Sequence, residues 1–123
     1  MRGKKRKDFE IRFYEKLLKI NPNFIQALSC LGDAYTRKGF YKEGLDIDRR
    51  LVKLNPEDPV VHYNLACSLS LVGDLDSSFR ELKRAVLLGY DDFPYISTDP
   101  DLEALRKDPH FKDFFQKIKR LKY

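Results

Sequence analysis

The sequence is poor in the residue types that disulfides, metal sites and nucleophilic catalysis require. It has two cysteines, Cys30 and Cys67, and two histidines, His62 and His110. Two cysteines without metal-ligand spacing are too few for a disulfide-stabilised secreted scaffold, so we expect reduced thiols and a cytoplasmic location. Neither histidine lies in a known nucleophile arrangement, and there is no glycine-rich phosphate loop. We therefore predict a protein that is not an enzyme and holds no metal and no cofactor.

Long apolar runs are absent as well. The longest ones extend over a few residues, such as AVLLG at 85–89, whereas a membrane-spanning helix needs about 20 apolar residues. The basic start, MRGKKRK, is followed by DFEIRFYEKLLKI, in which charged residues interrupt any apolar core. The sequence therefore predicts neither a membrane span nor an export signal.

Positive charge is concentrated at the two ends of the chain. The net charge is +5, but five basic residues lie within the first seven positions and four within the last seven. Without these nine, 15 basic residues remain against 19 acidic ones, so the body of the chain is acidic. We expect a solvated tail at the N-terminus; the alternative function is binding of nucleic acid or an anionic surface through the basic ends. Nucleic-acid binding is not favoured, because no aromatic residues that could stack on bases alternate with the basic ones. The basic residues of the tail are Arg2, Lys4, Lys5, Arg6 and Lys7.

A 34-residue period organises the rest of the chain. The dipeptide Asn-Pro occurs at 21–22 and again at 55–56, and Gly39 is matched by Gly73. Within each period, apolar residues recur at helical spacing in two segments, which predicts two amphipathic helices per unit. Because neither helix can bury its apolar face alone, the pairs must stack on one another. The predicted fold class is all-α, an α-solenoid of antiparallel helix pairs.

These units resemble tetratricopeptide repeats. The resemblance rests on the period, on LGDAY at 31–35 with Gly39 after it, and on LACSL at 65–69 in the next unit. Small residues in this pattern let the first helix of a pair, helix A, approach the second, helix B. The C-terminal segment is similar to the helical cap that often closes small bacterial arrays of this kind. The predicted divisions are a basic flexible tail at 1–7, a lone B-type helix at 8–24, repeat units at 25–58 and 59–92, and a linker with capping helices at 93–123.

Aspartate-proline pairs predict where several helices begin. They are Asp58-Pro59, Asp99-Pro100 and Asp108-Pro109, in which the carboxylate caps free N–H groups and proline occupies the first turn. These aspartates are therefore explained without catalysis or metal binding. The resemblance places His62 where the family buries a bulky ring between helices A and B, so we predict a structural histidine.

The resemblance implies a non-enzymatic adaptor or scaffold that binds a peptide or helix of another protein in a concave groove. Asn64 matches an asparagine with which chaperone-binding relatives hold a C-terminal carboxylate. Ser29 and Asp33, however, replace the lysine and asparagine of those relatives, and Asp33 would repel a carboxylate. The groove positions that carry over are Gln26, Ser29, Asp33, Thr36, Val60, Tyr63, Asn64, Cys67 and Ser70.

The half repeat at the N-terminus suggests a second interaction. No helix A precedes the segment at 8–24, so one of its apolar faces is expected to lack a cover, and a second copy of the chain could supply it. This predicts a homo-oligomer formed through a self-association face that comprises Ile11, Tyr14, Leu17 and Leu18.

Asp48 lies on the apolar stripe of its helix, where the family prefers a large apolar residue. A buried lone carboxylate costs several kcal/mol or becomes protonated. Two interpretations stay open. Either Asp48 leans to the edge and meets an arginine or lysine, or the interface between repeats is irregular and admits a partner.

Overall fold

The computed structural model describes residues 6–122, with side chains over 6–120. In this part the chain is helical and forms no strand. Across the same residues, no helix is both long and apolar enough to span a bilayer. The helices are α1 (Phe9–Ile20), α2 (Ile25–Arg37), α3 (Tyr41–Leu54), α4 (Pro59–Leu71), α5 (Leu75–Leu87), α6 (Phe93–Ile96), α7 (Glu103–Arg106) and α8 (Pro109–Lys122), with a 3-10 turn at Pro100–Leu102.

The helix starts predicted at the aspartate-proline pairs are confirmed. Asp58, Asp99 and Asp108 each accept a hydrogen bond from the backbone N–H two residues later, at 2.8, 3.0 and 2.8 Å. These bonds satisfy N–H groups that have no partner inside the helix. The 3-10 turn and helices α4 and α8 therefore begin where the sequence predicts.

Glycine ends three helices, as the sequence also predicts. Gly39, Gly73 and Gly89 follow α2, α4 and α5 with φ angles of 86°, 89° and 116°. Residues with a Cβ rarely adopt such positive φ values, so glycine is favoured at each of these turns.

Consecutive helices pack on one another from α1 through α5. Helices α2 and α3 come close because glycine lies at their contact. A Cβ built on Gly44 would lie 2.9 Å from Thr36 Oγ1, and one built on Gly32 would lie 3.1 Å from Ile47 Cγ2. The predicted role of the small residues is therefore confirmed for this pair.

The C-terminal cap, which comprises α6, the 3-10 turn, α7 and α8, covers the end of the array. The turn and α7 pack on α4, and α7 also contacts α5 and α8. Apolar side chains of the cap join the same core cluster as Leu82 and Ala85 of α5. The buried ones are Leu102, Leu105, Phe111 and Ile118, and the partly buried ones are Phe114 and Phe115.

His62 is buried and holds two elements together. Its Nδ1 lies 2.7 Å from Glu81 Oε1 on α5, and its Nε2 lies 2.8 Å from the carbonyl oxygen of Pro56. Both ring nitrogens are used inside the fold, which confirms the predicted structural histidine.

The face of α1 predicted for self-association is already covered, and this corrects the prediction. Ile11 is 0% exposed, and Leu18 is buried in the same cluster as Leu28 and Leu31 of α2. Tyr14 and Leu17 are partly buried against that cluster. The reason is that α2 packs on α1 and buries this face within one chain. The exposed apolar side chains of α1 are instead Phe9, Phe13 and Ile20.

Candidate functional site

A cavity of about 190 Å³ lies between helices α2 and α4 and the cap. It is the place where the two A helices and the non-repeat C-terminal segment meet. Helix α3 contributes the innermost wall. The lining residues are Ser29, Gly32, Asp33 and Thr36 from α2, Asp48 and Leu51 from α3, Tyr63, Asn64, Cys67 and Ser68 from α4, and Tyr95, Asp99 and Asp101 from the cap.

Most of the predicted groove positions converge on this cavity. Ser29, Asp33, Thr36, Tyr63, Asn64 and Cys67 line it. Gln26 and Val60 are exposed but lie outside its lining.

Ser70 does not belong to the groove, which corrects its assignment. It is 4% exposed, and its hydroxyl finds no hydrogen-bond partner among the side chains and backbone of residues 6–120. The physical reason is that α4 is covered on several sides, by α3, α5 and the cap. A position that would face a groove in an open array is therefore enclosed here.

Tyr63 lines the cavity as predicted for a groove position, but its side chain is almost fully buried. It is 4% exposed, and its hydroxyl donates to Asp99 Oδ2 at 2.6 Å. Its ring stacks on Tyr90, with ring centres 4.2 Å apart and an interplanar angle of 3°. The ring of Tyr95 lies 6.3 Å away on the other side. Burial, more than any neighbouring charge, raises the pKa of the Tyr63 hydroxyl.

Asp48 is buried without a cationic partner. It is 7% exposed and accepts a hydrogen bond from the hydroxyl of Ser68. Burial raises the pKa of this carboxyl from 3.8 to about 6, against the opposing effect of the Ser68 bond. The interpretation in which Asp48 leans to the edge and meets an arginine or lysine is therefore wrong.

Asp99 ties the cap to α4. Its carboxylate accepts hydrogen bonds from Tyr63 at 2.6 Å, from Cys67 Sγ at 3.6 Å and from the N–H of Asp101 at 3.0 Å. Burial raises the pKa of the Cys67 thiol. Cys67, Asp99 and Asp101 place three metal-type ligand atoms within 4.8 Å of one another. Binding of a metal ion there would deprotonate the Cys67 thiol, so its hydrogen bond to Asp99 would be lost.

Sequence reasoning missed the wall that the cap supplies. Tyr95, Asp99 and Asp101 fall outside the repeats, and the position of a non-repeat segment does not follow from the 34-residue period. A usable signal was present in Asp99-Pro100, which predicted the local turn but not its packing on α4.

The basic tail lies mostly outside the described residues, which exclude Arg2, Lys4 and Lys5. Within them, Lys7 forms an ion pair with Glu15 at 2.8 Å and lies 5.7 Å from the ring centre of Tyr35. This lysine therefore interacts with side chains of its own chain.

Comparison with solved structures bears on the fold. The chain resembles "MamA RS-1 ArsTM double mutant", a protein of the tetratricopeptide type, with a TM-score of 0.66 over 91% of this chain and 65% of that one. The fold is tetratricopeptide-like. The two sequences are 20% identical, so the similarity shows the fold and nothing about function. No protein-family model matches the chain.

Among curated proteins, the chain is similar to a chloroplastic protein from Arabidopsis thaliana. The two are 36% identical over an alignment of 90 residues, and the match covers 68% of this chain and 27% of that protein. The chain thus spans 27% of the length of this relative.

Proposed function

We propose that this chain is a non-enzymatic protein-interaction module that binds a segment of another polypeptide in the cavity between α2 and α4. The observation that carries the proposal is the convergence of exposed polar side chains from both A helices on one concavity. Ser29 and Asp33 of α2 and Asn64 of α4 are exposed and line it.

The chemistry of these groups suits a polypeptide. Ser29 and Asn64 carry side chains that both donate and accept hydrogen bonds, as a peptide backbone requires. The contact surface is limited to two A helices and the cap. A small interface of this kind is typical of weak, transient association, so we expect micromolar affinity.

Binding of nucleic acid or an anionic surface through the basic ends receives less support. Lys7 is paired with Glu15, and Lys117 lies 3.1 Å from Asp113. Both cations are thus partly neutralised within the chain. Salt-dependent RNA or DNA binding that disappears when residues 1–7 are deleted would favour this alternative.

Selection of peptides tests the proposal. The full chain is used to select binders from a library of random peptides displayed on phage, and the selected peptides are titrated by fluorescence anisotropy. Ser29→Trp fills the cavity mouth and should weaken binding by about tenfold or more, which is about 1.4 kcal/mol.

The matched control is Gln116→Trp, which places the same ring at an exposed polar position of α8. It should leave affinity unchanged. Peptides that bind Ser29→Trp and Gln116→Trp as tightly as the unaltered chain would contradict the proposed site.

A further inference from the structure

The cavity is lined by carboxylates from three separate parts of the fold. Asp33 comes from α2, Asp48 from α3, and Asp99 and Asp101 from the cap. No lysine, arginine or histidine among the described residues lines it. A cleft lined by charge of one sign concentrates the electrostatic field and attracts the opposite charge.

Two of the four carboxylates have ion-pair or hydrogen-bond partners within the chain that account for their negative charge. Asp33 Oδ2 accepts a bond of 2.8 Å from Arg37 Nε at the rim. Asp99 accepts the three hydrogen bonds described above, and the guanidinium of Arg106 donates to its backbone oxygen at 2.6 Å. These two groups have structural explanations.

The negative charges of the other two carboxylates have no cation beside them among the described residues. Asp48 is more than nine-tenths buried and accepts one hydroxyl bond from Ser68, with no cation beside it. The carboxylate of Asp101 receives no donor from the described side chains and backbone. Burial and then the charges of Asp99 and Asp33 raise the pKa of Asp101, so like charges approach one another across the cavity.

A cation placed between such groups would remove this repulsion and complete their hydrogen bonding. The volume of about 190 Å³ is below the roughly 300–1,000 Å³ of pockets for drug-sized molecules. The end of one side chain suits this space better than a cofactor does. A guanidinium or ammonium group also supplies several donors that can reach carboxylates on different walls.

We propose that the cavity binds a basic side chain, an arginine or lysine, that the partner polypeptide inserts between Asp48 and Asp101. This inference rests on the proposed function and specifies its ligand. Asp48, which occupies an apolar position of the repeat, is assigned the role of the innermost acceptor.

The test uses the full chain and the peptides selected as above. We expect the binders that Ser29→Trp weakens to share an arginine or lysine. Replacing that residue by glutamine should weaken binding by about 10- to 100-fold, the range for hydrogen bonds to charged groups. Asp101→Asn should weaken the basic peptide by a similar factor and leave the glutamine peptide unaffected, as a double-mutant cycle requires for a direct contact.

Controls separate this contact from general charge and folding effects. Asp113→Asn removes an exposed carboxylate from α8 and should change neither affinity. Asp48→Asn provides a second cavity variant, and circular dichroism of each variant verifies that it is folded. Equal losses with Asp101→Asn and Asp113→Asn would overturn the assignment.

The remaining outcomes distinguish a failure of this inference from a failure of the proposed function. Peptides that Ser29→Trp weakens but that share no basic residue would overturn this inference and leave the proposed function intact. If no selected peptide is sensitive to Ser29→Trp, the proposed function itself fails. Loss of binding in EDTA, restored by Zn²⁺ alone, would assign the cavity to a metal ion at Cys67, Asp99 and Asp101. A synthetic peptide of residues 2–7 that binds as tightly as the selected peptides would overturn the assignment to a separate partner.

Discussion

The two complete helix pairs follow the same 34-residue pattern but differ at their centres. At the position where α3 carries Asp48, α5 carries Leu82, which is 0% exposed. Both pairs are packed on two sides, the first by α1 and α4 and the second by α3 and the cap, but the inner position of the second pair belongs to the apolar core. The pair α2–α3 has a buried carboxylate on the cavity wall instead. At this position the second pair therefore contributes to the apolar core. The first pair instead carries a buried carboxylate, which lowers the stability of the fold and lines the cavity.

The pairs also differ at their helix starts. Helices α4 and α5 begin at Asp58 and Asp74, whose carboxylates accept bonds from the N–H groups of the first turn. The matching residues before α2 and α3 are Phe24 and Phe40, and neither helix start has a side-chain cap bond. Phe40 packs instead near Tyr35, with ring centres 6.0 Å apart. Apolar contacts thus replace capping in the first pair.

Removal of the Leu82 side chain should destabilise the packing of the second helix pair and give the largest effect. Leu82→Ala is expected to lower the free energy of unfolding by about 2–5 kcal/mol, because it leaves a cavity in a fully buried site. Urea denaturation followed by circular dichroism measures this. Leu87→Ala, at an exposed position of the same helix, should have little effect. Similar losses for both variants would contradict the central role of Leu82.

Replacement of Asp48 should make the first pair more like the second. The carboxyl has a pKa of about 6 in the folded protein against an ordinary value of 3.8. Well below pH 3.8 it is protonated in both the folded and the unfolded chain, so its ionisation costs nothing there. Between these pKa values the unfolded chain ionises first, so the free energy of unfolding falls as pH rises, by on the order of 2–3 kcal/mol in total.

Asp48→Asn removes this ionisation and can keep the hydrogen bond from Ser68. It should stabilise the protein by on the order of 2–3 kcal/mol at about pH 8 and by much less at about pH 4, as urea titrations at several pH values can show. Asp46→Asn, on the exposed side of the same helix, is the control. A stabilisation that does not vary with pH would show that burial of charge is not its cause.

Removal of the N-cap residue Asp74 should make the start of α5 like that of α3 and give the smallest effect. Asp74→Ala is expected to lower the free energy of unfolding by a smaller amount than either change above shifts it, because it deprives the N–H of Ser77 of its partner, now 3.2 Å away. Asp74→Asn retains an acceptor and should cost less. Thermal or urea unfolding measures both changes. If alanine and asparagine are equally destabilising, the contribution of Asp74 lies in its charge and not in its hydrogen bond.

The repeat pattern predicted those features that depend on local sequence. Three such features each follow from residues within one turn or one helix pair. They are the helix ends at Gly39 and Gly73, the N-cap of α4 at Asp58, and the close approach of α2 and α3 at Gly44. The resemblance to the repeat family, and not the periodicity, implied the groove positions of α2; Ser29, Asp33 and Thr36 line the cavity, whereas Gln26 does not.

The remaining features depend on contacts between segments that are distant in sequence. The burial of Tyr63 and Ser70 requires the cap to fold back on α4, and Asp99 and Asp101 reach the cavity for the same reason. No period in the sequence encodes these arrangements, so they appear only in the three-dimensional structure.

The stacked rings of Tyr63 and Tyr90 have a practical consequence. The chain contains no tryptophan, so its near-ultraviolet circular dichroism depends mainly on tyrosines and phenylalanines held in fixed packing. Tyr63 and its neighbour Tyr95 line the cavity itself. The protein therefore carries an intrinsic optical reporter at its candidate binding site, and occupancy by a ligand that has no aromatic ring can be followed without a label.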